Sequence, residues 1–205
     1  ETGEIMIDGA SRKGLAKLAL VTTDMAEAVR GADTVFVIVP AFGHKPLAME
    51  LGKHVEDGQT IGILPGTFGS LVFARVFADM GVLDKVVLAE TSTLPYDTRI
   101  QGPGHVTVHG LNLPLFFGVF PSEKTDETLE KLYGLFKFTP VSDVLECGLH
   151  SLNPVLHTPG CIMNTGRIER SRGEFWLYEE GFTLTIARVT EALDCERMAI
   201  ARAFG

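Results

Sequence analysis

Two histidines and an asparagine lie close together in an otherwise apolar stretch of the chain. His150, Asn153 and His157 are spaced i, i+3 and i+7, so in a helix all three would project from one face. Leucines repeat this spacing on a neighbouring face, which predicts a packed side formed by Leu149, Leu152 and Leu156. A polar stripe beside a packed one is typical of a helix that lines a pocket. Hydrogen-bonded structural histidines would give the same pattern, and the stretch alone favours neither interpretation.

His157 is the best candidate for acid–base chemistry in this stretch. An imidazole titrates near neutral pH, and a carbonyl under reduction needs a proton at its oxygen as hydride reaches its carbon. Such a histidine normally has a carboxylate partner that fixes its tautomer, and spacing alone assigns no carboxylate to that role. A metal site is not expected, because His150 and His157 are two helical turns apart and no carboxylate or thiol completes a ligand set.

A second group of candidates lies earlier in the chain, after predicted strands. The hydroxyls that follow Glu90, beginning with Thr91, could orient a carbonyl or carboxylate substrate or could simply cap a turn. Arg99 could grip a carboxylate in a bidentate pair, although an internal salt bridge, including one with Glu90, is the commoner role. Pro65 and Gly66 would allow close approach of a ligand to the backbone, and a plain turn explains them as well.

Two pairs of ring-bearing residues are predicted to be structural. Trp176 and Tyr178 are expected in the core or at an interface rather than as a stacking platform. His105 and His109 fall on one face of a predicted strand and are expected to have no catalytic role.

Composition narrows the classes of function. The chain has 205 residues, 45% of them apolar and 21% charged, which is typical of a globular protein with an ample core. A net charge of -8 leaves no basic face for nucleic acid. No apolar run is long enough to span a bilayer, and no signal peptide opens the chain. Three cysteines at spacings that match no zinc framework predict reduced thiols and a cytoplasmic location.

Apolar strand patterns alternate with helical ones through the first half of the chain. Predicted strands over residues 34–39, 60–64 and 85–89 are each followed by a helix or a loop, which is the rhythm of βαβ units and a parallel sheet. Carboxyl ends of parallel strands meet at one edge, where ligands of open parallel sheets bind. The loops after these strands are therefore predicted to share the ligand-binding edge of a Rossmann-like, mostly parallel sheet.

The pattern changes after this parallel section. Residues 105–109 and 113–119 are predicted to be neighbouring antiparallel strands, and residues 123–136 an amphipathic helix. Later in the chain, residues 175–193 are predicted to form one long helix, and Asp194 to cap a further helix over residues 195–204.

Two domains follow from this change of pattern. Residues 1–141 are predicted to be the C-terminal part of a dinucleotide-binding domain, and residues 142–205 the N-terminal part of an all-helical domain for substrate binding or dimerisation. No G-x-G-x-x-G motif occurs, and the helical part does not complete a bundle, so we expect a fragment of a longer protein.

Five short segments, in this order and spacing, resemble the octopine/nopaline (opine) dehydrogenase family, in particular its bacterial members. They are Val37–Ala41, Ile63–Gly66, Glu90–Tyr96, Gly104–Val108 and Asn153–His157. The helical tail over residues 182–204 is similar too, and the similarity covers essentially all 205 residues.

The resemblance implies an NAD- or NADP-dependent reductive condensation. A 2-oxo acid such as pyruvate and the amine of an amino acid would form an imine, which hydride from the cofactor would reduce. In the family the histidine that matches His157 is the catalytic acid/base, and its partner aspartate would fall beyond the end of this chain. Thr91 matches a residue that touches the oxo acid, and Asn153 matches a position near the amino substrate. Cofactor contacts are implied at Pro40, Ala41, Pro65, Gly66 and Glu90.

Two other interpretations remain open. Another reductase of the same superfamily, such as a ketopantoate or 3-hydroxyacid dehydrogenase, would carry a lysine on the first helix of its helical domain, and no lysine follows Lys137 here. A non-catalytic nucleotide-binding or oligomerisation module would keep the fold without the chemistry. In the favoured interpretation the protein is a cytoplasmic homodimer that binds small molecules, and neither nucleic acid nor a membrane.

Overall fold

The computed structural model describes residues 3–10 and 13–204. It divides into two compact units, Glu1–Gly148 and Leu149–Gly205, which we call the sheet unit and the helical unit. The predicted boundary between residues 141 and 142 remains a prediction.

The described residues of the sheet unit form two β-sheets and several short helices. Its strands are Glu4–Gly9 (β1), Gly14–Lys17 (β2), Thr34–Val37 (β3), Gln59–Ile63 (β4), Val86–Thr91 (β5), Tyr96–Gly102 (β6), His105–Leu111 (β7), Leu115–Phe120 (β8) and Phe138–Pro140 (β9). Its α-helices are Met25–Val29 (α1), His44–Leu51 (α2), Gly69–Met80 (α3), Thr125–Lys131 (α4) and Val144–Leu149 (α5), the last of which reaches the boundary. Single 3-10 turns lie at Ala41–Gly43, Leu83–Lys85 and Ser122–Lys124.

The larger sheet has five strands in the order β3-β4-β5-β8-β9. The first three are parallel, as the alternation of strand and helix predicted, while β8 runs antiparallel to β5 and parallel to β9. Every residue of β4 is buried, because this strand lies between two others and both faces of the sheet are covered there. The core lies where α3 packs on this sheet through Phe73 and Phe77, both fully buried.

Local signals fix the ends of the helices around this core. The Asp24 carboxylate accepts the backbone N–H of Glu27 and so caps α1. Helix α3 ends at Gly81, whose φ of 69° is the left-handed conformation that glycine adopts without steric cost. Helix α4 is shorter than predicted and stops well before residue 136, with Gly134 at a φ of 83° just beyond it.

The smaller sheet has four strands in the order β2-β1-β7-β6, and the prediction was wrong about its membership. Strand β6 was missed, because the sequence of Tyr96–Gly102 mixes charged and apolar residues and most of them are exposed. The antiparallel partner of β7 is β6, and the turn at Gly102–Gly104 joins them. Strand β8, predicted as the neighbour of β7, lies instead in the larger sheet.

The described helical unit contains α-helices and one π-helical turn. The helices are Asn153–Ile162 (α6), Thr165–Arg170 (α7) and Leu184–Phe204 (α8), and the π-helical turn is Leu177–Gly181. The predicted break in the helix at Asp194 was wrong, since α8 continues through this residue. The Asp194 carboxylate accepts a hydrogen bond from Arg197 Nε, one turn later in the same helix, at 2.7 Å. Over the described residues, no helix has the length and apolar character needed to cross a membrane.

Candidate functional site

The carboxyl ends of the three parallel strands lie side by side in the sheet unit. Val37 of β3 is in register with Ile63 of β4, which is in register with Glu90 of β5. The loops that follow therefore leave from one edge, as the sequence predicted. Pro40 and Ala41, in the first of these loops, are exposed.

The Pro65–Gly66 loop is held against the end of β5. The Gly66 N–H donates to the carbonyl oxygen of Thr91 at 2.9 Å. A Cβ on Gly66 would lie 2.3 Å from Cβ of Glu90, so glycine is required here by a neighbouring side chain. Thr67 and Phe68 follow with positive φ of 48° and 67°, a conformation that costs free energy for residues with a Cβ.

Glu90, on β5, stabilises this loop conformation because its carboxylate caps the first turn of helix α3. Its two carboxylate oxygens accept hydrogen bonds from the Phe68 N–H at 3.0 Å, the Ser70 N–H at 2.9 Å and the Ser70 hydroxyl at 2.7 Å. Phe68, at the N-cap, makes no side-chain cap bond of its own, so the carboxylate supplies the acceptor that the first turn needs. Burial raises the pKa of Glu90, and the bonds from Ser70 and Phe68 oppose that rise.

The other candidates at this edge have local partners. The Thr91 hydroxyl is buried and donates to the carbonyl oxygen of Thr93 at 2.7 Å, which is the turn-capping bond considered from the sequence. Arg99 does not pair with Glu90, since its guanidinium bonds the exposed Asp97 carboxylate at 2.8 Å. The pairing was wrong because Arg99 lies on β6, in the other sheet.

His44 is a buried residue at this edge that sequence reasoning did not single out. It begins α2, and a Cβ on Gly69, the first residue of α3, would lie 2.7 Å from its ring. The ring bonds the Val39 backbone, and within the described parts of the chain its Nε2 has no hydrogen-bond partner. Burial lowers the pKa of His44, against the Val39 bond, which favours the neutral ring. No local pattern distinguishes such a histidine from one exposed in a loop.

In the helical unit, the predicted helical face does not form. Helix α5 ends at Leu149 and α6 begins at Asn153, so His150 lies between helices rather than on the face of Asn153 and His157. The leucine stripe is not packed either, because Leu152 is 48% exposed and Leu156 36% exposed. A proline at the second position of α6 explains the new start, since proline fits the first turn of a helix and disfavours helix before it.

Asn153 and His157 do share a face, one turn apart on α6. His157 is partly exposed, and its Nε2 lies 2.6 Å from the phenol oxygen of Tyr178. Trp176 and Tyr178, predicted to lie in the core or at an interface, are 69% and 71% exposed, so they are not core residues of this chain, and the interface alternative stays a prediction. Tyr178 is thus a partner of His157 that the sequence did not reveal, and 21 residues separate the two.

The structure therefore brings together Pro65, Gly66, Glu90 and Thr91 in the sheet unit, and Asn153 with His157 in the helical unit. Among residues 3–10 and 13–204, no cluster of three or more His, Cys, Asp or Glu side chains could hold a metal ion.

Comparisons with known proteins show what the chain is similar to. Residues 140–205 match the family model described as NAD/NADP octopine/nopaline dehydrogenase, alpha-helical domain. The whole chain is 32% identical over 206 residues to the opine dehydrogenase of Arthrobacter sp. (strain 1C), and covers 57% of that protein. The octopine dehydrogenase of Mizuhopecten yessoensis is 30% identical over 133 residues, and this alignment covers 33% of that protein. The chain thus spans at most 57% of the length of these curated relatives.

Solved structures give the same fold. An octopine dehydrogenase with NADH and L-arginine superposes with a TM-score of 0.72 at 23% identity, over 98% of this chain and 52% of that one. A ketopantoate reductase from Ralstonia eutropha JMP134 superposes with a TM-score of 0.63 at 19% identity, over 98% and 61%. A Rossmann-like sheet followed by a helical part is the architecture that these dehydrogenases and reductases share.

Sequence similarity is more specific than this shared architecture. Residues 140–205 match the helical domain of the octopine/nopaline dehydrogenases, and the whole chain is similar to an opine dehydrogenase, as its motifs indicated.

Proposed function

We propose that the protein of which this chain is part catalyses the NADH- or NADPH-dependent reductive condensation of a 2-oxo acid with an amino acid. The observation that carries this proposal is the 32% sequence identity to an opine dehydrogenase along the whole chain. A partly exposed histidine, His157, supports it, because it lies on the second helix of the region that matches the family's helical domain. Related proteins have been solved with NADH and L-arginine, with NADH and pyruvate, and with NADP+.

The residues at the carboxyl edge fit part of a dinucleotide. Pro40 and Ala41 are exposed there, and the next side chain, Phe42, is 87% exposed, which gives an apolar surface suited to a planar ring. The chain has no G-x-G-x-x-G motif for a pyrophosphate, so these loops would contact another part of the cofactor. The cofactor would supply hydride.

In this proposal only part of the Pro65–Gly66 loop touches the cofactor, and Glu90 holds that loop in place. The Glu90 carboxylate is buried and already accepts three hydrogen bonds, so it would act by fixing the loop rather than by touching the cofactor. The contact would be made at Pro65, which is partly exposed, whereas Gly66 is buried against Glu90 and would hold the loop in place.

Three side chains are proposed to contact the substrates. Thr91 would contact the oxo acid by turning its hydroxyl proton from the Thr93 carbonyl toward the substrate, since an oxo acid offers only hydrogen-bond acceptors. Asn153 is exposed on α6 and would bind the amino substrate through its amide. His157 would exchange the proton that the reacting oxygen or nitrogen gains or loses.

The location and assembly are further parts of the proposal. A cytoplasmic location is supported by cysteines that are free in the described structure, among them the fully buried Cys147. A homodimer is supported by large apolar side chains left exposed on α8, where Leu184 is 71% and Phe204 70% exposed.

An assay of the full-length protein tests the activity. Oxidation of NADH or NADPH is followed with pyruvate and a panel of amino acids, and the expected result is turnover that requires both substrates. The matched control omits the amino acid. Equal turnover without it would assign the protein to the simple 2-oxo acid reductases, and no turnover with any combination would refute the proposal.

A further inference from the structure

A cleft of about 760 Å³ lies in the sheet unit at the amino ends of β4 and β5. Gly58 and Lys85 stand immediately before these two strands, and the Gly58 N–H donates to the Lys85 carbonyl oxygen at 2.7 Å. Pro65 and Glu90 lie at the other ends of the same strands, so the cleft is at the opposite edge of the sheet from these candidate residues. Its volume is within the range of small-molecule sites.

Much of the lining of this cleft is apolar. Five such side chains come from α3, the 3-10 turn before β5, β5 itself and the end of β8, namely Ala78, Leu83, Val86, Val87 and Phe120. An apolar lining of this kind binds the hydrocarbon part of a ligand, because both surfaces are removed from water.

The charged groups of the cleft carry a positive excess. Three of the chain's eight lysines and two carboxylates line it: Lys85, Lys124, Lys131, Asp84 and Glu127. Lys124 pairs with Glu127 at 2.7 Å, and Lys85 pairs with Asp57, outside the cleft, at 3.7 Å. In the part of the chain that the structure describes, Lys131 has no carboxylate oxygen within 4.0 Å of its Nζ. A cation without an ion-pair partner thus borders an apolar cleft, in a chain whose net charge is -8.

Two oxygen atoms hold the ammonium group of Lys131 in place. Its Nζ donates to the Gly58 carbonyl oxygen at 2.9 Å and to the Thr60 hydroxyl oxygen at 3.1 Å. An ammonium group has three N–H donors and no acceptor, so the Thr60 oxygen accepts, its own proton stays free to donate, and one N–H of Lys131 remains. Across residues 3–10 and 13–204, neither of these two donors has an acceptor. The cleft therefore offers hydrogen-bond donors, one of them charged, and lacks the matching acceptor.

We infer that this cleft binds a small organic monocarboxylate with an apolar body. The carboxylate accepts the remaining N–H of Lys131 in a charge-assisted hydrogen bond, beside the Thr60 hydroxyl, and the body lies on the apolar lining. A phosphate with two negative charges fits less well, because Asp84 and Glu127 border the same cleft and repel it. The inference does not rest on the proposed function, since binding is measured without turnover.

Isothermal titration of the full-length protein with 3-phenylpropanoate tests the class of ligand. We expect saturable binding at one site. Two comparison compounds divide the probe into its parts: 3-phenylpropan-1-ol keeps the apolar body without the charge, and acetate keeps the charge without the body. Each should bind at least about 10-fold more weakly than the probe. Absence of saturable binding, or equal affinity for either comparison compound, would overturn the inference.

The substitution Lys131→Gln tests the position of the carboxylate. It removes the charge and the free N–H, so the affinity for 3-phenylpropanoate should fall by about 10- to 100-fold. Lys53→Gln is the matched control, because it removes the same charge from a lysine that pairs with Glu50 and does not line the cleft. Equal affinity in Lys131→Gln and wild type would place the probe elsewhere and contradict the inference.

A second variant keeps the test decisive if Lys131→Gln does not fold. Ala78 is exposed on α3 and lines the cleft, so Ala78→Leu fills part of the space and leaves the contacts of Lys131 in place. We expect it to weaken binding of 3-phenylpropanoate by about 10-fold. Ala28→Leu is its control, since Ala28 is exposed on α1 and outside the cleft. Unchanged affinity in Ala78→Leu would refute the placement of the apolar body in this cleft.

Discussion

The candidate residues of the sheet unit and those of the helical unit are held in opposite ways. Glu90 and Thr91 are fully buried, and most of their side-chain hydrogen bonds join them to backbone groups of neighbouring segments. His157 and Tyr178 are at least partly exposed, and the contact between them joins two side chains. The first arrangement is part of the fold, whereas the second can be removed without touching the backbone.

This difference predicts what substitutions do in each unit. In the sheet unit, a changed side chain leaves buried donors unpaired or creates a clash, so stability is affected first. In the helical unit, a changed ring loses one exposed hydrogen bond, which contributes little to stability, so chemistry is affected first.

The largest effect is expected from His157→Ala in the full-length protein. General acid–base groups contribute about 10²- to 10⁴-fold to rate, so kcat should fall by that factor in the assay with pyruvate and an amino acid. Binding of NADH, measured by fluorescence titration, should be nearly unchanged. His105→Ala is a suitable control, because that histidine pairs with Asp8 in the smaller sheet and has no proposed catalytic role. Activity close to wild type in His157→Ala would make His157 a structural residue and remove the contrast between the units.

A smaller effect, on stability, is expected from Gly66→Ala. The new Cβ would lie 2.3 Å from Cβ and 2.5 Å from Oε2 of Glu90, so the loop or the capping carboxylate must move. Overpacking of this kind costs about 1–3 kcal/mol, which urea unfolding measures as a lower midpoint. Gly110→Ala is the matched control, because a Cβ there meets nothing within 4 Å. Equal midpoints for the two variants would show that the loop accommodates the extra carbon atom, and would contradict the claim that substitutions in the sheet unit affect stability first.

The sequence predicted the parallel edge because its signals are local. Buried runs such as Gln59–Ile63, and Gly81 at the end of α3, report their own conformation whatever surrounds them. Placing the loops after β3, β4 and β5 at one edge then needs only the rule that βαβ units make strands parallel.

The partners within the site could not be predicted in this way. The Glu90–Ser70 bonds span 20 residues and the His157–Tyr178 bond spans 21, and neither separation is fixed by a helical or strand period. The placement of β8 beside β5 rather than β7 failed for the same reason, because pairing between distant segments is decided by tertiary packing.

The smallest effect tests whether Glu90 is as much part of the fold as the comparison requires. Glu90→Gln keeps the shape of the side chain but replaces one acceptor oxygen with an NH₂ group, so one of the bonds from Phe68 and Ser70 is lost at a cost of about 1 kcal/mol.

The pKa of Glu90 is raised in the folded protein above its ordinary value of 4.5, so the folded state binds the proton more tightly than the unfolded chain does. Wild-type stability therefore declines as pH rises from about 4.5 through the raised value, and the glutamine variant lacks this decline. The difference between their urea midpoints should accordingly be greatest near pH 4 and shrink toward neutral pH. A difference that stayed constant or grew with pH would mean that the carboxylate is stabilised as an anion by its three donors, and that burial does not dominate at this edge.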